Sequence, residues 1–219
     1  MTMLEPIDAY CERTSAAYWA EPVNAVTNAA FLVAAFVMWR RTAGLPLARA
    51  MCGVLAAIGL GSYLFHTHAN GLTAALDVGP ILIFILLYVF AATRDLMALG
   101  CWWAAGAVLA FFPYAALTVP LFDRVLPVLG SSAGYAPIPV LILGYAAALW
   151  ARVPATARGL ALGAAILVVS LTFRTLDGPL CSLLPFGTHF LWHILNGVML
   201  GWMIEVYRRH MLAVRGARG

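Results

Sequence analysis

The sequence contains very few charged residues and no lysine at all. Only 10% of its 219 residues are charged, while 63% are hydrophobic. Because soluble domains carry about 25% charged residues, an ordinary water-soluble enzyme is not expected. The net charge of +4 rests on arginines that lie between apolar runs rather than in one patch, which argues against a nucleic-acid partner. The few acids and histidines therefore carry most of the information about function.

Seven apolar stretches have about the length of a helix that crosses a bilayer. Such a helix needs about 20 mainly apolar residues, and its backbone groups must bond within their own segment. The sequence therefore predicts an all-α integral membrane protein with seven transmembrane helices in a single domain, 1–219. The predicted spans are 23–39, 50–67, 76–92, 101–119, 137–150, 159–174 and 188–207.

The arginines predict the orientation, because cytoplasmic loops are enriched in basic residues. With the N-terminus outside and the C-terminus inside, ten of the 13 basic residues lie on the inner side. The first 22 residues are acidic, so we expect no cleavable signal peptide but a segment, 1–22, folded against the outer face. Residues 208–219 would form a basic inner tail. The small size and compact loops indicate a bacterial inner-membrane protein.

Four of the five histidines fall in two clusters that this topology brings to the outer, periplasmic leaflet. His66 ends the second span, and His189 and His193 begin the seventh on one helical face. Ser62 lies one turn before His66, and Asp77 opens the third span at the same depth. Three histidines with a position left for water are typical of a catalytic zinc site. The alternative is structural pairing of polar groups between helices.

The first helix carries a polar stripe that is expected to face the interior of the bundle. Glu21, Asn24 and Asn28 recur at i, i+3 and i+7. Upstream, Asp8 and Glu12 add two carboxylates four residues apart. Carboxylate, amide and hydroxyl oxygens together would suit a calcium ion. The alternative is a solvated acidic segment that caps the first helix through Glu21.

The cysteines divide between the two predicted sides of the membrane. Cys11 and Cys181 lie on the outer side, where a disulfide persists, whereas Cys52 and Cys101 lie near inner helix ends, where thiols stay reduced. We therefore expect a Cys11–Cys181 bridge, which would fasten the N-terminal segment beside the histidine pair.

Four further polar residues are expected to be structural. His68 would be a loop or interfacial residue, and His210 a solvated contact to lipid headgroups. Arg174 and Asp177, three residues apart, are expected to pair with each other. Gly197 and Gly201 are also expected to be structural, because they allow close helix packing.

Three blocks of the sequence resemble the alkaline ceramidase family, seven-helix membrane hydrolases in a wider group that includes the adiponectin receptors. The blocks are YCERTSAAYWAEPVNAVTN, GSYLFHTHANGLTAALD and LDGPLCSLLPFGTHFLWHILNG. Their order, spacing and helix positions agree with that family over nearly the whole chain. The resemblance implies zinc ligands at His66, His189 and His193. It also implies that Asp77 handles protons near the metal and that Ser62 helps to hold the substrate carbonyl.

The same resemblance implies a calcium site in the N-terminal block and pairing of Cys11 with Cys181. Glu12 and Glu21 match the family's pattern. Asp8 stands one residue early, and Thr14 replaces an asparagine, so the match is incomplete there.

These implications predict a zinc-dependent hydrolase acting inside the bilayer. It would cleave ceramide or a related N-acyl lipid to a fatty acid and a sphingoid base or amine, and no protein partner is expected. One alternative is a receptor-like or structural protein without turnover, in which Asp77 closes the metal site. Another is a small transporter or proton pathway through Asp77 and the histidines.

Overall fold

The computed structural model describes residues 3–217, and most of these are helical. The α-helices are α1 Pro22–Thr27, α2 Ala29–Arg41, α3 Pro46–His68, α4 Gly71–Ala91, α5 Cys101–Val125, α6 Pro137–Leu149, α7 Pro154–Leu180 and α8 His189–Gly216. A π-helical turn, Ala92–Leu96, prolongs α4, and a 3-10 helix, Pro127–Ser132, follows α5. The predicted all-helical class is confirmed.

Five helical segments of the described chain are long and apolar enough to cross a membrane. They are Pro22–Arg41, Pro46–His68, Gly71–Leu96, Cys101–Val125 and Pro154–Leu180. The apolar helix α6 is shorter, with 13 residues. Helix α8 has 28 residues, but histidine, asparagine and glutamate side chains make it less apolar. Each of the seven predicted spans overlaps one of these segments.

The first predicted span is interrupted at Asn28, which separates α1 from α2. The Asn28 side chain donates a hydrogen bond to the carbonyl of Asn24 (2.8 Å), and the Thr27 hydroxyl donates to that of Val23 (2.8 Å). Side chains that bond to the carbonyl four residues back bend helices. The apolar run of residues 23–39 was predicted as one span, without this break. The polar stripe does face inward, as expected, since Glu21, Asn24 and Asn28 are all buried.

Small residues allow the helices that carry the site to approach closely. A Cβ atom at Gly197 would lie 2.9 Å from the backbone of Ala30 in α2, and one at Gly201 would lie 3.3 Å from Ala34. These contacts confirm the expected close packing of α8. Helix α5 is different, because it buries only Ala104 and Phe111. It therefore lies at the edge of the bundle.

Most of the predicted basic tail belongs to the last helix. Helix α8 continues to Gly216, so residues 208–216 are helical, and Arg218 lies outside the described residues. His210 was expected to be solvated, but it is buried, with Nδ1 3.0 Å from the Thr156 hydroxyl. That prediction was wrong, because α8 continues past position 210 and His210 lies on the side of the helix that packs against α7.

Candidate metal centre

Three histidines from two helices meet at one end of the bundle, which we call the histidine end. His66 lies in the last turn of α3, while His189 and His193 occupy the first two turns of α8. One ring nitrogen from each residue lies within 4.8 Å of the others. All three side chains are buried. His68 lies outside this group and is exposed at the end of α3, next to Tyr18.

Each of the three rings leaves one buried nitrogen without a hydrogen-bond partner. These atoms are Nε2 of His66, Nδ1 of His189 and Nε2 of His193. A buried polar atom that lacks a partner costs about 1–3 kcal/mol, so a ligand shared by the three rings would stabilise them. Three neutral imidazoles are the ligands that zinc prefers in open catalytic sites. The residues present therefore fit a bound zinc ion.

Two of the rings are held at their other nitrogen by residues of the first helix. Nδ1 of His66 lies 2.6 Å from the Glu21 carboxylate, and Nδ1 of His193 lies 3.0 Å from the Thr27 hydroxyl. Such second contacts orient metal-ligating histidines and raise their basicity. Burial alone would raise the pKa of Glu21, but hydrogen bonds and charge from His66, with hydrogen bonds from Asn24 and Arg13, hold it below its ordinary value. The ion pair with the buried Arg13 favours the ionised carboxylate independently of His66.

The N-terminal segment covers the histidines. The ring of Tyr10 stacks on that of His189, with centroids 3.7 Å apart. The predicted disulfide between Cys11 and Cys181 is confirmed, with a Cα–Cα distance of 5.3 Å. The backbone N–H of Ile7 also donates to the carbonyl of Ala69, just after α3 (2.7 Å). The segment is thus fastened to the loops on both sides of the site.

Asp177 fixes the start of α8 and was not predicted as a site residue. Its carboxylate accepts backbone hydrogen bonds from Thr188 (2.7 Å), His189 (2.9 Å) and Cys11 (3.0 Å). The expected Arg174–Asp177 pair was wrong, because Arg174 donates instead to the hydroxyls of Ser131 and Ser132. These bonds join three segments that are distant in sequence, so residue spacing gave no signal for them.

Ser62 and Asp77 line a common cavity, which Trp192 and Asn196 of α8 also line but the three histidines do not. Gly61 makes this possible, because a Cβ atom at this position of α3 would overlap the carbonyl oxygen of Leu76 in α4. Helices α3 and α4 therefore touch where the two polar residues lie. Asp77 does not belong to the group of mutually close ligand atoms, which consists of the three histidines.

The cavity runs from Ser62 and Asp77 into an apolar interior between the helices. Residues of α2, α3, α4, α6, α7 and α8 line it with Tyr135, and apart from Ser62, Asp77, Asn196, Trp192 and three tyrosines the lining side chains are apolar. Representative lining residues are Ile81, Phe84, Ile142, Tyr145, Leu167 and Met199. Polar chemistry is therefore confined to one end of an apolar pocket.

The four residues of the expected calcium site make different contacts in the structure. Asp8 and Thr14 are exposed. The Glu12 carboxylate accepts hydrogen bonds from the backbone N–H groups of Val23 (2.7 Å) and Asn24 (2.8 Å), and so caps α1. Glu21 contacts His66 and the buried Arg13.

Comparison with known proteins gives no match, either to a protein-family model or to a curated protein.

Proposed function

We propose that this protein is a zinc-dependent hydrolase of lipid amides that works inside a membrane. The observation that carries the proposal is the group of three buried histidine nitrogens without partners, together with an apolar cavity that Ser62, one helical turn from His66, lines with Asp77. The resemblance of these residues to the alkaline ceramidase family supports the same reaction. Zinc bound by the three histidines would supply a Lewis acid that activates water and polarises a carbonyl.

The chain's own polar residues have distinct tasks in this proposal. The Asp77 carboxylate accepts a proton from the attacking water and passes it to the nitrogen of the leaving amine. The Ser62 hydroxyl donates a hydrogen bond to the carbonyl oxygen, where negative charge develops. The C–N bond breaks, the hydroxyl group of water stays on the acyl carbon, and the products are a fatty acid and an amine.

The cavity supports a substrate with a long acyl chain. Its deep walls are mostly apolar. A bound hydrocarbon chain would therefore take few hydrogen bonds away from polar groups there. Helices α4 and α6 both line the cavity without packing closely on each other, and the weakly buried α5 lies at this side of the bundle. A lipid would enter sideways through this gap, which suits ceramide or a related N-acyl lipid.

We further propose that all seven helical segments cross the membrane, with the histidine end on the outer side of a bacterial inner membrane. The disulfide Cys11–Cys181 supports this orientation, because disulfides persist outside the cytoplasm. Arginines at the opposite end support it as well: Arg41, Arg208 and Arg209 all pair with Glu205 there.

The test is hydrolysis of a panel of N-acyl lipids and matched esters by the purified protein. We expect amide cleavage that a zinc chelator abolishes and added zinc restores. Asp77→Asn should keep its zinc but lose turnover by about 10²–10⁴-fold, whereas Asp123→Asn, at an exposed position, should behave like the wild type. Activity that survives removal of zinc, or full turnover by Asp77→Asn, contradicts the proposal.

A further inference from the structure

A buried arginine lies beside the histidines, where the sequence suggested calcium. Arg13 is only 7% exposed. Its Nε donates to Oε1 of Glu21 (2.5 Å), and its two terminal nitrogens donate to the backbone carbonyls of Ser15 (3.1 Å) and His66 (3.0 Å). The guanidinium thus contacts both the carboxylate that holds His66 and the backbone of His66 itself.

The Glu21 and Glu12 carboxylates already have a hydrogen-bond donor on every oxygen. Oε1 of Glu21 faces Arg13, and Oε2 accepts from Asn24 (3.1 Å) and lies 2.6 Å from Nδ1 of His66. Both oxygens of Glu12 accept backbone N–H groups at the start of α1. Calcium needs six to eight oxygen ligands at about 2.3–2.6 Å. The N–H donors would have to be displaced first, and a fixed positive charge would remain beside the ion.

We propose that Arg13 takes the place of a divalent cation at this position, so that the protein does not use calcium. In this view Arg13 is a positioning residue. It holds the Glu21 carboxylate by charge and the His66 carbonyl by a hydrogen bond, and so sets the orientation of the His66 ring. The inference rests on the proposed function in one respect, since it treats His66 as a zinc ligand.

The guanidinium of Arg13 and a calcium ion would hold the carboxylate in different ways. A guanidinium stays protonated at all accessible pH values and holds a carboxylate through a rigid, planar set of donors. It is also part of the chain and cannot dissociate. A site built on Arg13 is therefore assembled whenever the protein is folded, independently of the calcium concentration outside the cell.

Calcium binding is the first measurement. Equilibrium dialysis of the zinc-loaded, detergent-purified wild type against radioactive calcium should show no saturable binding up to about 1 mM, the range of weak extracellular sites. If the wild type binds one calcium ion per chain and Glu12→Gln does not, this part of the inference is overturned.

Zinc release is the second measurement, because a merely structural arginine would not change it. Release to a chromogenic chelator should be about 10–100-fold faster in Arg13→Gln than in the wild type. Arg13→Lys keeps the charge and should lie between them. Arg124→Gln removes an exposed arginine and is the matched control. In the cobalt-substituted protein, the visible absorption bands of Arg13→Gln should shift, since they report ligand geometry.

The variants separate a folding defect from a positioning role. If Arg13→Gln leaves Glu21 uncompensated and does not fold, the double variant Arg13→Met with Glu21→Gln removes both charges at similar volume. It should fold and release zinc quickly. If the folded double variant releases zinc at the wild-type rate, the role of Arg13 is overturned but the proposed function is not. A wild type that holds no zinc contradicts the proposed function as well.

Discussion

Nδ1 of His66 and Oε2 of Glu21 lie 2.6 Å apart across the junction of α3 and α1. An ionised carboxylate accepts, so Nδ1 of His66 carries the proton and Nε2 is left as the free nitrogen. Nε2 is also the buried atom of that ring without a partner. The contact therefore fixes which nitrogen of His66 can bind a metal, and it depends on how the first helix begins.

Replacing Glu21 should weaken the metal site more than it weakens the fold. Glu21→Gln keeps the shape and one acceptor but removes the charge that favours the protonated Nδ1 of His66. We expect zinc affinity, measured by competition with a chelator, to fall about 10–100-fold. Glu5→Gln, at an exposed position, should leave the affinity unchanged. Equal zinc affinity in both variants would show that Glu21 does not support His66.

The Thr27 hydroxyl should make a smaller contribution through His193. It bonds to Nδ1 of that ring at 3.0 Å but carries no charge, so we expect Thr27→Val to lower zinc affinity by about 10-fold, the low end for such contacts. Thr172→Val is the control, because Thr172 also bonds to a carbonyl of its own helix (3.0 Å) but is exposed. A similar effect in both variants would assign the loss to the helix rather than to the site.

The positions of the helices and of the three histidines followed from patterns that are local in sequence. Apolar runs mark the helices, and the spacing of His189 and His193 places both on one face whatever they contact. The disulfide followed because only two cysteines lie on the predicted outer side. These inferences need helix geometry and topology, and no knowledge of side-chain packing.

The supporting residues could not be predicted because their partners are distant in the sequence. Arg13 looked like one of three outer arginines until the fold placed it against Glu21. Tyr10 had no recognisable pattern before it stacked on His189. Asp177 was assigned to its neighbour Arg174 because helical spacing permits that pair. Its actual partners are backbone N–H groups, which carry no signature in the sequence.

Asp177 should be essential for stability. Asp177→Ala leaves the N–H groups of Thr188, His189 and Cys11 without their acceptor. Since a lost partner costs about 1–3 kcal/mol for a buried donor, we expect a decrease of at least about 3 kcal/mol in the free energy of unfolding. A thermal melt of the purified variant measures this. Asp123→Ala, at an exposed position, is the control and should melt like the wild type. If Asp177→Ala also melts like the wild type, these hydrogen bonds do not contribute to stability.

Two glycines of α3 should respond oppositely to alanine. At Gly61 the added methyl would overlap the Leu76 carbonyl and force α3 and α4 apart; overpacking of this kind costs about 1–3 kcal/mol, and it should also lower turnover by separating Ser62 from Asp77. At Gly53 nothing lies within 4 Å, so alanine should be neutral or stabilise by up to about 1 kcal/mol. Melting and hydrolysis assays of both variants test this. A Gly61→Ala protein as stable and active as Gly53→Ala would contradict the close approach.

The two ends of α5 should lie on opposite sides of the membrane. The helix has 25 residues, a length of about 37 Å at 1.5 Å per residue, which is enough to cross a bilayer. Cys101 at its start is an exposed free thiol, whereas Cys52 is buried. With the histidine end outside, a membrane-impermeant maleimide should label Cys101 only after intact cells are permeabilised. Asp123→Cys in a Cys101→Ser background should be labelled in intact cells, because residue 123 lies near the other end. Labelling of Cys101 in intact cells would reverse the orientation, and it would place the disulfide on the reducing side, where it would not persist.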